Sequence, residues 1–491
     1  YGKVGLTRHP DRGNLGENDD CSFHWRPEND FFYYPGQPLN LPVPGKYYEN
    51  PAKASGNCFS PFPGKNDWYE TIRLNYCDFH TPTWDRMLEI ARFWCAKGVD
   101  GFRLDAVKHI YMKDEVTSTG SDIIIADTGT KNSYDDEKGK YVAKDFDYSS
   151  DLNKNVLWWR EFASDLKSVY PNAFLVGENF DGWGTRISPY YQALDSQFDF
   201  ANYYHIVQYL YANPEHYGLK SQGNGGASGY SYNQPLETFD NFRSSANLPL
   251  GDSGISVPGG KRSDFINGSF TSNHDVPRAI NQVNGTWAST TDTTSASKIT
   301  GTAQEIGRAK IHAALSILSP GVSWIYYGDE LGMSGNTDTH VAKYGNENSM
   351  DIWYRQPMKW AKAKTTETTG YKAGQYTFEW DSYNTNLNGV SEQKGKTGSM
   401  YEWYKALNDI KKQYPKNAKV TYEGAKDILT INVTGDSGPS WKIFVNCGFL
   451  DSEEYGINAT GYTAYSAPEL ANGANASNFA STSFSILAYK K

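Results

Sequence analysis

The chain has 491 residues. That is enough for two to four domains at about 100–200 residues each, and for a core that needs neither disulfides nor a metal to fold. Hydrophobic residues make up 38% and charged residues 21%, which excludes a disordered chain. The 47 Lys and Arg against 56 Asp and Glu leave a net charge of −9, which argues against nucleic acid or an anionic membrane as partner.

Residues 1–66 are rich in Pro, Gly and Asn and show no period, so they read as irregular. A helix is expected over 83–97, where Met87, Leu88, Ile90, Ala91, Phe93 and Trp94 are apolar, with Gly98 as its stop. A buried strand follows at 99–105. The alternation recurs: helix at 155–168, strand at 173–178, strand at 265–270, helix at 305–318, strand at 322–327 and helix at 401–413. Apolar strands alternating with helices imply a parallel sheet. From about residue 416 the pattern becomes short strands, at 419–422, 428–433, 441–445 and 484–489, which predicts an antiparallel β domain. The polar stretches 117–150, 221–263 and 284–299 exceed ordinary connections, and such loops often carry function.

No apolar run approaches the roughly 20 residues of a membrane-spanning helix; the longest, at 313–327, is interrupted by Ser319-Pro320. The chain starts at Tyr1 with no basic-then-apolar leader, so it reads as a mature form or a fragment. Cys21, Cys58, Cys77, Cys95 and Cys447 lack metal-ligand spacing, and their odd number leaves at least one without a partner in the chain. Aromatic residues reach 15%, which suits either an aromatic core or rings stacked on sugar faces. For Trp68, Tyr69, Trp158, Trp159, Trp183, Tyr190, Tyr191 and Trp287, core packing is the favoured of these two. The N-x-Ser/Thr sequons at Asn267, Asn284, Asn432, Asn458 and Asn475 read as chance matches in an Asn-rich chain.

Three strands end in ionisable groups. The first carries Arg103 and ends at Asp105, the second ends at Glu178, and the third leads into His274-Asp275. Any one acid after a strand is ordinarily a helix cap. Three together, with an Arg and a His beside them, match a parallel barrel, whose active site gathers at the C-terminal strand ends. A retaining glycosidase needs an ionised carboxylate as nucleophile and a protonated carboxyl as acid. A neighbouring Arg favours the former, and burial the latter.

The segments Gly101-Phe102-Arg103-Leu104-Asp105-Ala106-Val107-Lys108-His109, Phe174-Leu175-Val176-Gly177-Glu178-Asn179 and Phe270-Thr271-Ser272-Asn273-His274-Asp275 resemble, in order, the second, third and fourth conserved regions of the α-amylase family, glycoside hydrolase family 13. Tyr326-Tyr327-Gly328-Asp329-Glu330-Leu331-Gly332-Met333 resembles the family's last barrel strand and its loop. Tyr354-Arg355-Gln356-Pro357-Met358-Lys359-Trp360 and Ile72-Arg73-Leu74-Asn75-Tyr76 are similar to further family segments. The resemblance implies Asp105 as nucleophile with Arg103 beside it, Glu178 as general acid/base, Asp275 as transition-state stabiliser and His274 as a sugar-binding residue. Lys108 and His109 match a pair that contacts glucose units on the leaving-group side, which favours an α-1,4-glucan enzyme over a small-oligosaccharide α-glucosidase.

The family's first region, an Asp-x-Val-x-Asn-His type motif on the third strand, has no counterpart here. The resemblance therefore implies a TIM (β/α)8 barrel of which strands four to eight are present. Residues 1–76 would be an irregular remnant of domain B, 77–415 the catalytic barrel with long insertions, and 416–491 a C-terminal antiparallel β-sandwich domain. It also implies a structural calcium ion (Ca2+) with the His109 carbonyl as a ligand, although the family's Asn ligand lies in the missing region. The expected function is a secreted, extracellular or cell-surface, endo-acting α-amylase on starch-like α-glucan. The alternatives are a transglycosylase or α-glucosidase of the same family and, from another class, a non-catalytic glycan-binding relative.

Overall fold

The first long helix, α1, spans Pro82–Ala96. It ends at Gly98, whose φ of +93° is a left-handed turn that glycine adopts without strain. This computed structural model describes residues 82–110, 153–180, 187–211, 265–284, 299–335, 354–363, 380–425, 428–448 and 455–491, with four two-residue strands at Phe23–His24, Tyr47–Tyr48, Tyr134–Asp135 and Lys140–Tyr141. The polar stretch 221–263 and most of 117–150 and 284–299 lie outside the described residues, as do Trp68, Tyr69, Trp183, Trp287 and the segment 72–76. The chain divides into two units: 1–180, 185–197 and 246–265 form the first, and 181–184, 198–245 and 266–491 the second.

In the first unit, β1 (Gly101–Leu104) pairs in parallel with β2 (Phe174–Gly177), the two joined through α2 (Asn153–Lys167). The register runs from Gly101 opposite Phe174 to Leu104 opposite Gly177. A Cβ at Gly101 would overlap the Phe174 carbonyl, so only glycine permits this approach. β2 pairs in parallel with the first two residues of β3 (Ser196–Phe198). The core between α1 and α2 is aromatic. Trp84 meets Trp158 edge-on at 5.0 Å, and Trp158 stacks on Phe162 at 5.1 Å. Trp158, Trp159, Tyr190 and Tyr191 are all buried, so these four rings are core, as favoured from the sequence.

The second unit starts with α3 (Phe200–Tyr211) and β4 (Ile266–Phe270); α4 (Ala303–Ile317) follows, and β5 (Val322–Trp324) pairs in parallel with β4. Thr302 and Glu305 cap α4 reciprocally: the Thr302 hydroxyl accepts from the Glu305 amide at 3.2 Å, and the Glu305 carboxylate from the Thr302 amide at 2.8 Å. After α5 (Met400–Lys411) come β6 (Lys419–Ala425), β7 (Ile428–Thr434), β8 (Trp441–Asn446), β9 (Thr463–Tyr465) and β10 (Ser485–Lys490). They form one antiparallel sheet in the order β6-β7-β8-β10-β9. Ile431, Val433, Ile443 and Val445 of this sheet share a buried core with Ile311 and Leu315 of α4 and with Trp403 and Leu407 of α5. Parallel βα units followed by an antiparallel sheet are the fold class that the alternation predicts. Cys95 and Cys447 are buried. Among the described residues no helix is long and apolar enough to cross a membrane.

Asp199, at the start of α3, accepts a hydrogen bond from the Asn202 amide at 3.0 Å. Burial pushes its carboxyl from the ordinary 3.8 up to about 7. The folded chain thus retains a proton there that the unfolded chain releases above its own lower value. The stability this group contributes is complete below that lower value and is lost as the pH rises through about 7. Asp199→Asn keeps an acceptor for Asn202 and removes the charge. Urea unfolding at about pH 5 and about pH 8 should show a smaller loss of stability between the two for this variant than for wild type. Equal losses would place the titration elsewhere.

Candidate active site

Each unit carries its own group of the residues singled out from the sequence. In the first unit, the register of β1 on β2 puts Leu104 opposite Gly177, so the next residues, Asp105 and Glu178, leave the sheet side by side. The ladder continues one step: the Glu178 amide donates to the Leu104 carbonyl at 2.8 Å, and the Val107 amide to the Glu178 carbonyl at 3.0 Å. Between them Ala106 has a φ of +48°, a left-handed conformation that is unfavourable for a residue with a Cβ. It turns its own N–H onto the Glu178 carboxylate, at 3.0 Å. Glu178 is 7% exposed. The Asp105 side chain, by contrast, is 76% exposed and is held by an ion pair with Arg103.

Lys108 and His109 complete this group. Lys108 is buried, and its ammonium donates to the Phe180 carbonyl at 2.7 Å, just past Glu178. Its own carbonyl accepts from the Asn155 amide group, and the Val107 carbonyl from the Trp159 indole at 2.8 Å. Helix α2 therefore pins the segment after Asp105 from behind. The His109 amide donates to the Ala106 carbonyl at 2.9 Å. Burial, reinforced by the Lys108 charge, lowers the His109 ring to about 3, so it is neutral at physiological pH. For the expected calcium ion, the His109 carbonyl is a single oxygen, where calcium takes about six to eight. Among the described residues no group of three or more His, Cys, Asp or Glu is gathered for a metal. Of the expected ligands, the described residues supply this one oxygen.

The second unit holds His274 and Asp275 on the turn after β4. The Asp275 amide donates to the Asn273 side chain at 2.8 Å, and the His274 Nε2 lies 3.0 Å from the Asp275 carboxylate. Arg355 carries no signal of its own in the sequence. It donates from Nη2 to Asp275 at 2.8 Å and from Nε to the His274 carbonyl at 3.0 Å. A cation 80 positions away along the chain has no local signature; only the whole Tyr354–Trp360 segment stands out in the sequence.

Below this turn lies a buried ion pair, Arg278 with Asp329 at 3.7 Å, both side chains fully shielded. The Asp329 carboxylate accepts from Thr271 at 2.7 Å and from Ser272 at 2.6 Å. Burial pushes Asp329 up, opposed by Arg278 and by these two hydroxyls. The Arg278 guanidinium sits against the rings of Tyr326 and Tyr327, at 4.5 and 4.7 Å from their centroids, and donates to the Tyr327 carbonyl. One carboxylate thus holds Thr271 and Ser272, shortly before His274-Asp275, and Arg278, three residues after Asp275.

A family model, that of the α-amylase catalytic domain, matches residues 79–419. Alpha-amylase 3 of Dictyoglomus thermophilum is 27% identical over 350 residues, covering 70% of this chain and 48% of that protein. Alpha-amylase SusG of Bacteroides thetaiotaomicron is 24% identical over 362 residues, 72% of this chain and 37% of that protein. Other relatives are named maltase, trehalose-6-phosphate hydrolase and 4-alpha-glucanotransferase. The chain spans about half the length, or less, of the two amylases it matches. The crystal structure of an α-amylase from H. orenii superposes with a TM-score of 0.53 at 17% identity, covering 94% of this chain and 72% of that one, so the two share a fold. The strand-end carboxylates, the parallel βα units and the family match over residues 79–419 agree: this chain belongs to the α-amylase family of glycoside hydrolases, glycoside hydrolase family 13.

Proposed function

We propose that the chain carries a retaining α-glucan hydrolase, an endo-acting α-amylase on starch-like α-1,4 glucans. The observation that supports this most is the parallel register that sets Asp105 and Glu178 next to each other at two neighbouring strand ends. A general acid works from a site shielded from water, and Glu178 is the shielded one of the two. Asp105 attacks the anomeric carbon while Glu178 gives its proton to the departing glycosidic oxygen, so one C–O bond forms as another breaks. Glu178 then takes a proton from water, whose oxygen attacks the same carbon and frees Asp105, with the α configuration retained. Asp275 and His274 grip the sugar ring most tightly as charge develops on it. Arg103 pairs with the nucleophile, and Lys108 and His109 contact glucose on the leaving-group side.

Calcium, with the His109 carbonyl as one ligand, is proposed as a structural ion supplied with further oxygens from elsewhere; no step above runs through it. An extracellular or cell-surface location belongs to the same proposal. A glucan-transferring enzyme is the second reading, favoured by the relatives that bear that name. Product analysis at high maltooligosaccharide concentration separates the two. Hydrolysis is expected to yield only shorter products, and a ladder of longer ones would establish transfer. A protein that binds starch and never cleaves it would be the non-catalytic relative.

A further inference from the structure

Asp275 is paired with an arginine that is itself 44% exposed on its side chain. Exposed pairs of this kind contribute little by themselves, because holding two flexible side chains in one geometry costs entropy. Here the backbone on both sides of Arg355 is held. The Tyr326 hydroxyl donates to the Tyr354 carbonyl at 3.1 Å, and the Tyr327 hydroxyl donates to the Gln356 carbonyl at 2.8 Å. The two hydroxyls thus grip the residues immediately before and after Arg355. The Gln356 side chain is fixed in turn: it donates to the buried Asp381 carboxylate at 3.0 Å and accepts from the Asp381 amide at 3.2 Å. At their other side both tyrosine rings rest on the buried Arg278 guanidinium.

We infer that Tyr326 and Tyr327 are positioning residues. Their hydroxyls hold the peptide on either side of Arg355 so that its guanidinium stays on Asp275 and sets the direction of that carboxylate. The inference rests on the reading of Asp275 as the group that stabilises the transition state. A carboxylate offers about four lone-pair sites, so Arg355 and His274 leave acceptors open for sugar hydroxyls. Their place in space is then prearranged rather than found at each turnover.

The test uses Tyr326→Phe, Tyr327→Phe and the double variant in the full chain, which remove two oxygens and keep both rings against Arg278. A crystal structure of the double variant should show the Arg355 guanidinium displaced from Asp275 or without a single position. An Arg355 that keeps both hydrogen bonds overturns the inference, whatever the activity. On a chromogenic maltooligosaccharide, kcat of the double variant should fall about tenfold to a hundredfold with KM changed no more than about twofold. In an Arg355→Ala background the same two substitutions should have no further effect on kcat. Equal losses with and without Arg355 mean the tyrosines act by another route, and overturn it as well. If the wild-type chain cleaves no glucan, it is the functional reading that falls, and the crystal structure still decides the positioning.

Discussion

Glu178→Gln should lower kcat on α-1,4 glucans by about 10²–10⁴-fold, the share of rate that a positioned acid–base group supplies. The substitution is close to isosteric. The Gln amide oxygen can still accept from the Ala106 amide, now donating to Glu178 at 3.0 Å, so the strand-end geometry and the melting temperature should change little. What disappears is the proton for the glycosidic oxygen. An aryl glycoside with a good leaving group needs that proton least, so its first step should lose less than that of a maltooligosaccharide. Cleavage of both at the wild-type rate would show that Glu178 is not the acid, and with it the pairing of roles with Asp105 would fail.

Arg278→Met should be the most destabilising single change at the second group, by about 3 kcal/mol or somewhat more, the cost of stranding one partner of a buried ion pair. Asp329 would keep its Thr271 and Ser272 donors and lose the cation that opposes its burial. Without Arg278 its carboxyl is raised further, so the variant's deficit should shrink as the pH falls and the group takes a proton. Asp329→Asn added to Arg278→Met should recover part of the loss, because no unpaired charge remains buried. Urea unfolding of the two single variants and the double, at neutral and acidic pH, measures this coupling. Simple additivity, with no dependence on pH, would mean that the pair is not a unit.

The helices predicted from apolar spacing lie within about two residues of those observed, α1 at Pro82–Ala96 and α4 at Ala303–Ile317 among them, since a local cap or glycine bounds each of these two. Strand β3 and helix α3 are not foreshadowed by the sequence pattern. β3 is three residues, Ser196–Phe198, that exist as a strand by pairing with β2, and its buried Ser and Gln are polar, so no alternation marks it in sequence. The strand β9, Thr463–Tyr465, escapes the pattern for the same reason: it exists by pairing with β10.

The same division holds for the candidate site. Arg103, Asp105, Lys108, His109, Glu178, His274 and Asp275 are all legible from short segments, because each lies in or closely follows a strand and the residue types needed for the chemistry are adjacent there. What belongs to tertiary structure is everything that holds them. The β1–β2 register makes neighbours of Asp105 and Glu178, which are more than 70 residues apart in sequence. Arg355 reaches Asp275, and Asp329 reaches Thr271 and Ser272, across comparable gaps. The physical reason is one of range. Helix periodicity, caps and strand-end motifs act over a few residues and are written locally, whereas buried charges and guanidinium contacts are paired only when the chain has folded and water has been removed between them.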